Sequence, residues 1–209
     1  MTGTVARTTP YAWPYDGLLD PTRLALVVVV ARADGQGEAA SGDDEVDEGA
    51  LARIAELASG TLGAGGVVVE VTTTPPQSRR GVVAARTSAP LLGVRGATHR
   101  ITSGGTDGFF ASTLDATLRA LRRDQLLLCG QWLELGVHST MRSANDRGYE
   151  CLLVQDACLP YDRSLAPAAR SQIEMSGGIF GAVGDTTAVL DALRVDTTHR
   201  STVPERTPA

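Results

Sequence analysis

CGQWLELGVHSTMRSANDRGYE, residues 129–150, reads as the end of a strand, a tight backbone crossing and then a helix. The helix spans Val137 to Arg147 and is stopped by Gly148. Its head falls at Gly136. The first turn of a helix offers unpaired backbone N–H groups and the positive end of the helix dipole, which suits an oxyanion or a carboxylate. The question this stretch raises is which side chain stands at that head, and here it is none.

Working outward, apolar runs alternate with amphipathic stretches. LALVVVV, residues 24–30, is a continuous β-branched run of the kind expected of a strand buried on both faces. A polar loop (residues 35–45) follows. Helical spacing then runs from Asp47 to Ser59, with Leu51, Ile54, Ala55 and Ala58 on one face. Further strands are expected at Val67–Val71, His99–Thr102, Gln125–Cys129, Cys151–Val154 and within Gly178–Val183. Helices are expected at Ser112–Arg122 (with Ser112 as N-cap), Ala166–Met175 and Thr186–Leu193. Residues 73–96 are mostly loop. Strands alternating with helices predict an α/β fold, a three-layer doubly wound sheet of six parallel strands. Ligands of such sheets sit outside the carboxyl ends of the strands. These ends are Val30–Asp34, Gly130–Gly136 and Gln155–Tyr161.

Composition sets the outer limits. The 209 residues are 43% hydrophobic and 21% charged, with a net charge of −5 and no basic stripe. This suits one soluble domain and makes nucleic acid and anionic membrane poor partners. The expected organisation is an N-terminal extension (1–20), one domain (21–193) and a mobile tail (194–209). With no apolar leader and no spanning segment, the expected location is cytoplasmic. The three cysteines lie in or beside apolar runs and read as free thiols. All 19 basic residues are arginine, which together with abundant Ala and Gly suggests a GC-rich, actinobacterial genome.

PYAWPYDG (10–17), GVHSTMRSANDRGYECLLVQDA (136–157) and MSGGIFGAV (175–183) resemble the isochorismatase-like cysteine hydrolases, most closely the ureidoacrylate amidohydrolases. The resemblance runs from about Tyr11 to about Leu193. It implies the six-stranded parallel fold, a homo-oligomer, and a non-proline cis peptide at Gln131–Trp132. It also implies an Asp-Lys-Cys triad, in which the thiolate attacks an amide carbonyl, the carboxylate shuttles the proton and the ammonium holds both.

The resemblance places the Asp at Val30, the Lys at Ser103 and the Cys at Gly136. The carboxylate, ammonium and thiol of the triad are thus all gone. Isochorismatases that carry Gly at the Cys position keep the Asp as general acid, and Val30 removes that route as well. The substitutes weighed were Asp34, Glu134 and Cys158. Asp34 also reads as a solvated turn, Glu134 as a carboxylate tied to loop backbone, and Cys158 as an inert buried thiol. Trp132, Gly136, Gln131 and Phe109 are the expected substrate-binding residues. His138 reads as structural. His99, His138 and His199 have no zinc spacing, so neither metal nor cofactor is expected. The first reading is therefore an enzyme that has turned the old pocket to a cyclisation, elimination or isomerisation of a small molecule in a biosynthetic pathway. The alternative is a pseudo-hydrolase that binds a ligand or a partner protein, and a C–N amide hydrolase with an unrecognised nucleophile ranks last.

Overall fold

The computed structural model describes residues 3–31, 48–74 and 94–200, with side chains as far as Arg194. The elements are β1 (Leu24–Ala31), α1 (Glu48–Ala64), β2 (Val67–Thr73), β3 (His99–Thr102), α2 (Leu114–Ala120), β4 (Gln125–Gln131), a π-helical turn (Leu133–Val137), α3 (His138–Asp146), β5 (Glu150–Leu159), α4 (Ala166–Glu174), β6 (Ala182–Gly184) and α5 (Thr186–Arg200). The six strands form one sheet in the order β3-β2-β1-β4-β5-β6, and every pairing is parallel.

β1 sits between β2 and β4, and Leu24 to Val30 are all buried. A strand covered on both faces has no polar side to alternate with, which is why the sequence runs unbroken through LALVVVV. Crossovers in a parallel sheet are right-handed. The chain steps one way from β1 to β2 and the other way from β4 through β5 to β6. α1 therefore covers one face, and α3 and α4 cover the other. α5 returns to pack on α1, with Asp156 of β5 accepting the Thr186 N–H and hydroxyl at its start, both at 2.9 Å.

Several boundaries differ from the sequence reading. α1 continues to Ala64, because its buried positions Leu57, Ala58, Thr61 and Ala64 keep the helical period past Ser59. α2 begins after Thr113, not Ser112. The Ser112 hydroxyl instead donates to the Gly108 carbonyl at 2.6 Å and accepts the Leu114 N–H at 3.2 Å. β5 continues to Leu159 through a register irregularity that pairs Leu128 with Leu153 but Gly130 with Cys158. β6 is shorter and later than expected, because Gly178 and Gly181 adopt positive φ in the turn before it. α5 extends past Leu193 to Arg200. The 35–45 loop and most of the 73–96 loop lie outside the described residues.

The N-terminal segment closes one sheet edge. Thr9 forms an antiparallel bridge with Val183, the two exchanging N–H···O bonds of 3.0 and 2.7 Å. This covers part of an otherwise open edge strand. Glu150 holds the segment by accepting the Tyr11 hydroxyl at 2.9 Å and the Tyr15 N–H at 3.1 Å. Trp13 is fully buried beneath it. Removing a buried indole costs about 3–5 kcal/mol, so Trp13→Ala is expected to lower the unfolding free energy by that amount in urea denaturation followed by circular dichroism. A loss below about 1 kcal/mol would mean that the segment is not part of the cooperative fold.

Candidate functional site

The sheet register assembles the site. Val30 pairs with Thr72, Thr72 pairs with Thr102, and the Ser103 N–H donates to the Thr72 carbonyl at 2.9 Å. Gly136 arrives from β4. A Cβ built on it would lie 3.0 Å from Val29 Cγ1, 3.4 Å from Thr73 Oγ1 and 3.5 Å from the Gln131 carbonyl. The Thr73 hydroxyl donates to the Val30 carbonyl at 3.3 Å. Val30, Ser103 and Gly136 thus all lie at the carboxyl edge of the sheet, with Val29 and Thr73 the side chains nearest a Cβ at Gly136. Val30 is 5% exposed and Ser103 2%. The Ser103 hydroxyl donates to the Gly105 carbonyl at 2.7 Å.

Gly130 makes the crossing possible. Its φ is +112°, and a Cβ there would fall on the Val29 carbonyl oxygen, so a side chain would collide with β1. Gln131–Trp132 is a cis peptide, as the resemblance implies. The Trp132 ring stands edge-on to Tyr161, with centroids 5.7 Å apart. The Glu134 carboxylate accepts the N–H of Tyr161 at 2.7 Å and that of Asp162 at 3.1 Å, one on each oxygen. Glu134 therefore pins the loop after β5 over the crossing.

The other candidates fall in different places. Cys158 lies beside Gly130 in the sheet. Its thiol contacts the Val154 carbonyl at 3.3 Å, and burial pushes its pKa well above the usual value, the opposite of an activated thiolate. Cys129 and Cys151 are likewise buried and raised. The Phe109 ring centroid lies 5.7 Å from that of Tyr149, just before β5 begins, and Arg147 stacks on it at 4.7 Å. Asp34 lies outside the described residues.

Three residues that contribute to this edge were not singled out as site candidates. Thr73 ends β2 in register with Ala31, one step past Val30, and only the strand pairing reveals it. Tyr161 becomes visible once Glu134 bonds its backbone. His138 opens α3 two residues after Gly136. It is 8% exposed, burial and then the nearby Arg142 charge hold its pKa below the ordinary value, and its Nε2 has no hydrogen-bond partner. Among the described residues no cluster of three or more His, Cys, Asp or Glu could hold a metal ion, and no helix is long and apolar enough to cross a membrane.

The isochorismatase domain model matches residues 43–188. Two proteins of Bacillus subtilis are similar in sequence. The uncharacterised isochorismatase family protein YwoC is 35% identical over 68 residues, 32% of this chain and 36% of that protein. The uncharacterised isochorismatase family protein YddQ is 29% identical over 91 residues, 40% of this chain and 51% of that protein. The matches thus span about a third and a half of those relatives' lengths. Among solved structures, a cysteine hydrolase from Pseudomonas syringae superposes with a TM-score of 0.67 at 17% identity, covering 85% of this chain and 95% of that one. An isochorismatase family protein from Burkholderia thailandensis gives 0.64 at 25%, covering 84% and 97%. A nicotinamidase from Staphylococcus aureus gives 0.59 at 19%, covering 78% and 99%. The isochorismatase domain model covers more than half of the chain, and the chain belongs to the isochorismatase family.

His138 gives the site a pH signature. Its folded-state pKa lies below its unfolded value of about 6.5, so the unfolded chain binds the extra proton first. Stability is therefore expected to fall as pH drops from about 7 toward 5, and to level off once the folded state also takes the proton. His138→Gln should flatten this part of a denaturation-midpoint-versus-pH curve. An unchanged slope would mean that another group titrates there.

Proposed function

We propose that this protein does not perform thiol-dependent hydrolysis and instead holds a small molecule at the carboxyl edge of its sheet. In this reading the Asp, Lys and Cys of the family triad have been replaced by Val30, Ser103 and Gly136. The observation that carries it is that these three positions at the carboxyl edge contain no ionisable group, while the polar side chains of Thr73, Ser103 and Glu134 are engaged within the protein. Thr73 donates to the Val30 carbonyl, Ser103 to the Gly105 carbonyl, and Glu134 accepts two loop N–H groups. Nothing described there matches the nucleophile, base and orienter that amide hydrolysis requires. What is left for a ligand is backbone at the head of the π turn and α3, walled by Trp132 and Tyr161. The resemblance of the 136–157 segment to ureidoacrylate amidohydrolases favours a compact planar acid or amide as the ligand class.

One observation favours the second reading, a pocket turned to cyclisation, elimination or isomerisation. His138 is a buried imidazole kept neutral at pH 7, with an unpartnered Nε2 close in sequence to Gly136. Such a group can accept a proton. Mass spectrometry of compounds that raise the melting temperature separates the two readings. A compound recovered unchanged supports the binding protein. A compound converted by the native protein but not by His138→Asn supports the catalyst.

The purified protein is expected to leave ureidoacrylate-type amides and isochorismate unhydrolysed above the buffer rate. Gly136→Cys should not restore activity, because its thiol would lack a proton acceptor. The added Cβ, 3.0 Å from Val29 Cγ1, should cost about 1–3 kcal/mol in denaturant unfolding. Turnover of such an amide by the unmodified protein, abolished by changing Asp34, Glu134 or Cys158, would overturn the non-hydrolytic reading and identify the replacement group.

A further inference from the structure

Besides the backbone at the helix head, one side chain at the carboxyl edge is left uncommitted. Gln131 ends β4 and is 2% exposed. Among the described residues its carboxamide has no hydrogen-bond partner. Unlike His138 Nε2, the amide is not sealed in, so the small part of the residue still open is the amide itself. Gln125, at the other end of the same strand, shows what a structural glutamine looks like. It is fully buried, its Nε2 donates to the Leu18 carbonyl at 2.7 Å, and its Oε1 accepts the Asp20 N–H at 3.0 Å. A buried amide without such partners costs free energy, and it calls for something outside the chain to supply the bonds.

The register defines the surroundings. Gly130 pairs with Val29, so the next residue, Gln131, comes level with Val30, and on its other side it pairs with Leu159. Both neighbours are aliphatic and buried. The Gln131 backbone carbonyl lies 3.5 Å from where a Cβ on Gly136 would stand. The hydroxyls of Thr73 and Ser103 have committed their protons to the Val30 and Gly105 carbonyls, and both Glu134 oxygens accept loop N–H groups. Of these side chains, only Gln131 still offers a donor and an acceptor together. A carboxylate has acceptors alone. It could take the Nε2 proton, but it would turn lone pairs toward Oε1 and leave that atom unsatisfied.

We propose that the Gln131 carboxamide is the specificity-determining group of this edge, and that it takes a neutral planar molecule carrying an N–H and a C=O side by side, as a lactam or a primary amide does. Two parallel hydrogen bonds then satisfy the buried amide, Nε2 donating to the ligand carbonyl and Oε1 accepting the ligand N–H. The flat body of such a molecule suits the aromatic wall of Trp132 and Tyr161. The inference rests on the reading that a small molecule is held at this edge, and it narrows the ligand from an acid or amide to the neutral amide edge.

Amide-proton NMR titration of the full chain tests it with three probes: 2-pyridone, a planar lactam; N-methyl-2-pyridone, which lacks the donor; and benzoate, which has acceptors alone. 2-Pyridone should shift the Gly136 amide and the Gln131 side-chain NH2 pair, and it should bind about tenfold or more tightly than either other probe, the worth of one buried hydrogen bond. Gln131→Leu should abolish that preference. It should leave the circular dichroism unchanged and the urea midpoint equal or higher, because it removes an unpartnered amide. A lower midpoint, or a variant that does not fold, would mean that the amide is bonded within the protein and would overturn the proposal. Equal binding of all three probes at Gly136, indifferent to Gln131→Leu, would overturn it while leaving the small-molecule reading intact. No shift at Gly136 with any probe up to about 10 mM would overturn that reading as well.

Discussion

The structure depends on the pairing of β1 with β2 on one side and β4 on the other. Seven consecutive residues from Leu24 to Val30 are removed from water in this arrangement, and each large aliphatic side chain so buried contributes roughly 1.5–3 kcal/mol. The same register decides which backbone positions become neighbours at the carboxyl edge. Val30 comes opposite Thr72, Thr73 follows, and the chain leaving β4 turns across Val29. A one-residue slip would exchange the faces of every β1 side chain, and the two buried faces penalise it equally.

At that edge, polar groups satisfy the protein itself. Buried hydroxyls and carboxylates are costly unless hydrogen-bonded, and Thr73, Ser103 and Glu134 find their partners in backbone groups of β1 and of neighbouring loops. These bonds fix the geometry of the crossing and of the loop after β5. They also take up donors and acceptors that a reacting substrate would otherwise use. His138 is one exception, with an imidazole nitrogen buried and unpaired. An unsatisfied buried nitrogen costs free energy, and this is why the residue matters to both functional readings.

The contacts that join the outer parts of the molecule are of a different kind. The N-terminal segment is held by a two-bond bridge to β6 and by Glu150, and α4 is held by Arg170, Glu174 and the loop fixed by Glu134. These interactions are local and polar, and they set orientation more than stability.

The sequence alone determined the order of strands and helices, because burial on both faces writes continuous apolar runs and helices write a 3.6-residue period. It also marked the crossing at Gly130–Gly136, where motif and strand end coincide, and the residues Val30, Ser103 and Gly136. Tertiary structure decided what stood around them. That Glu134 reaches Tyr161 and Asp162, that Phe109 packs on Tyr149, and that Thr73 bonds the Val30 carbonyl beside Gly136 all depend on register and loop path. Side-chain chemistry does not encode these. Boundaries shifted for the same reason: α1 ran on to Ala64 because packing extended its buried stripe, and β6 moved to Ala182–Gly184 because three glycines with positive φ, Gly177, Gly178 and Gly181, shaped the preceding turn. Periodicity is a local property and was legible. The partners of a polar group are set by which distant segments the sheet brings side by side.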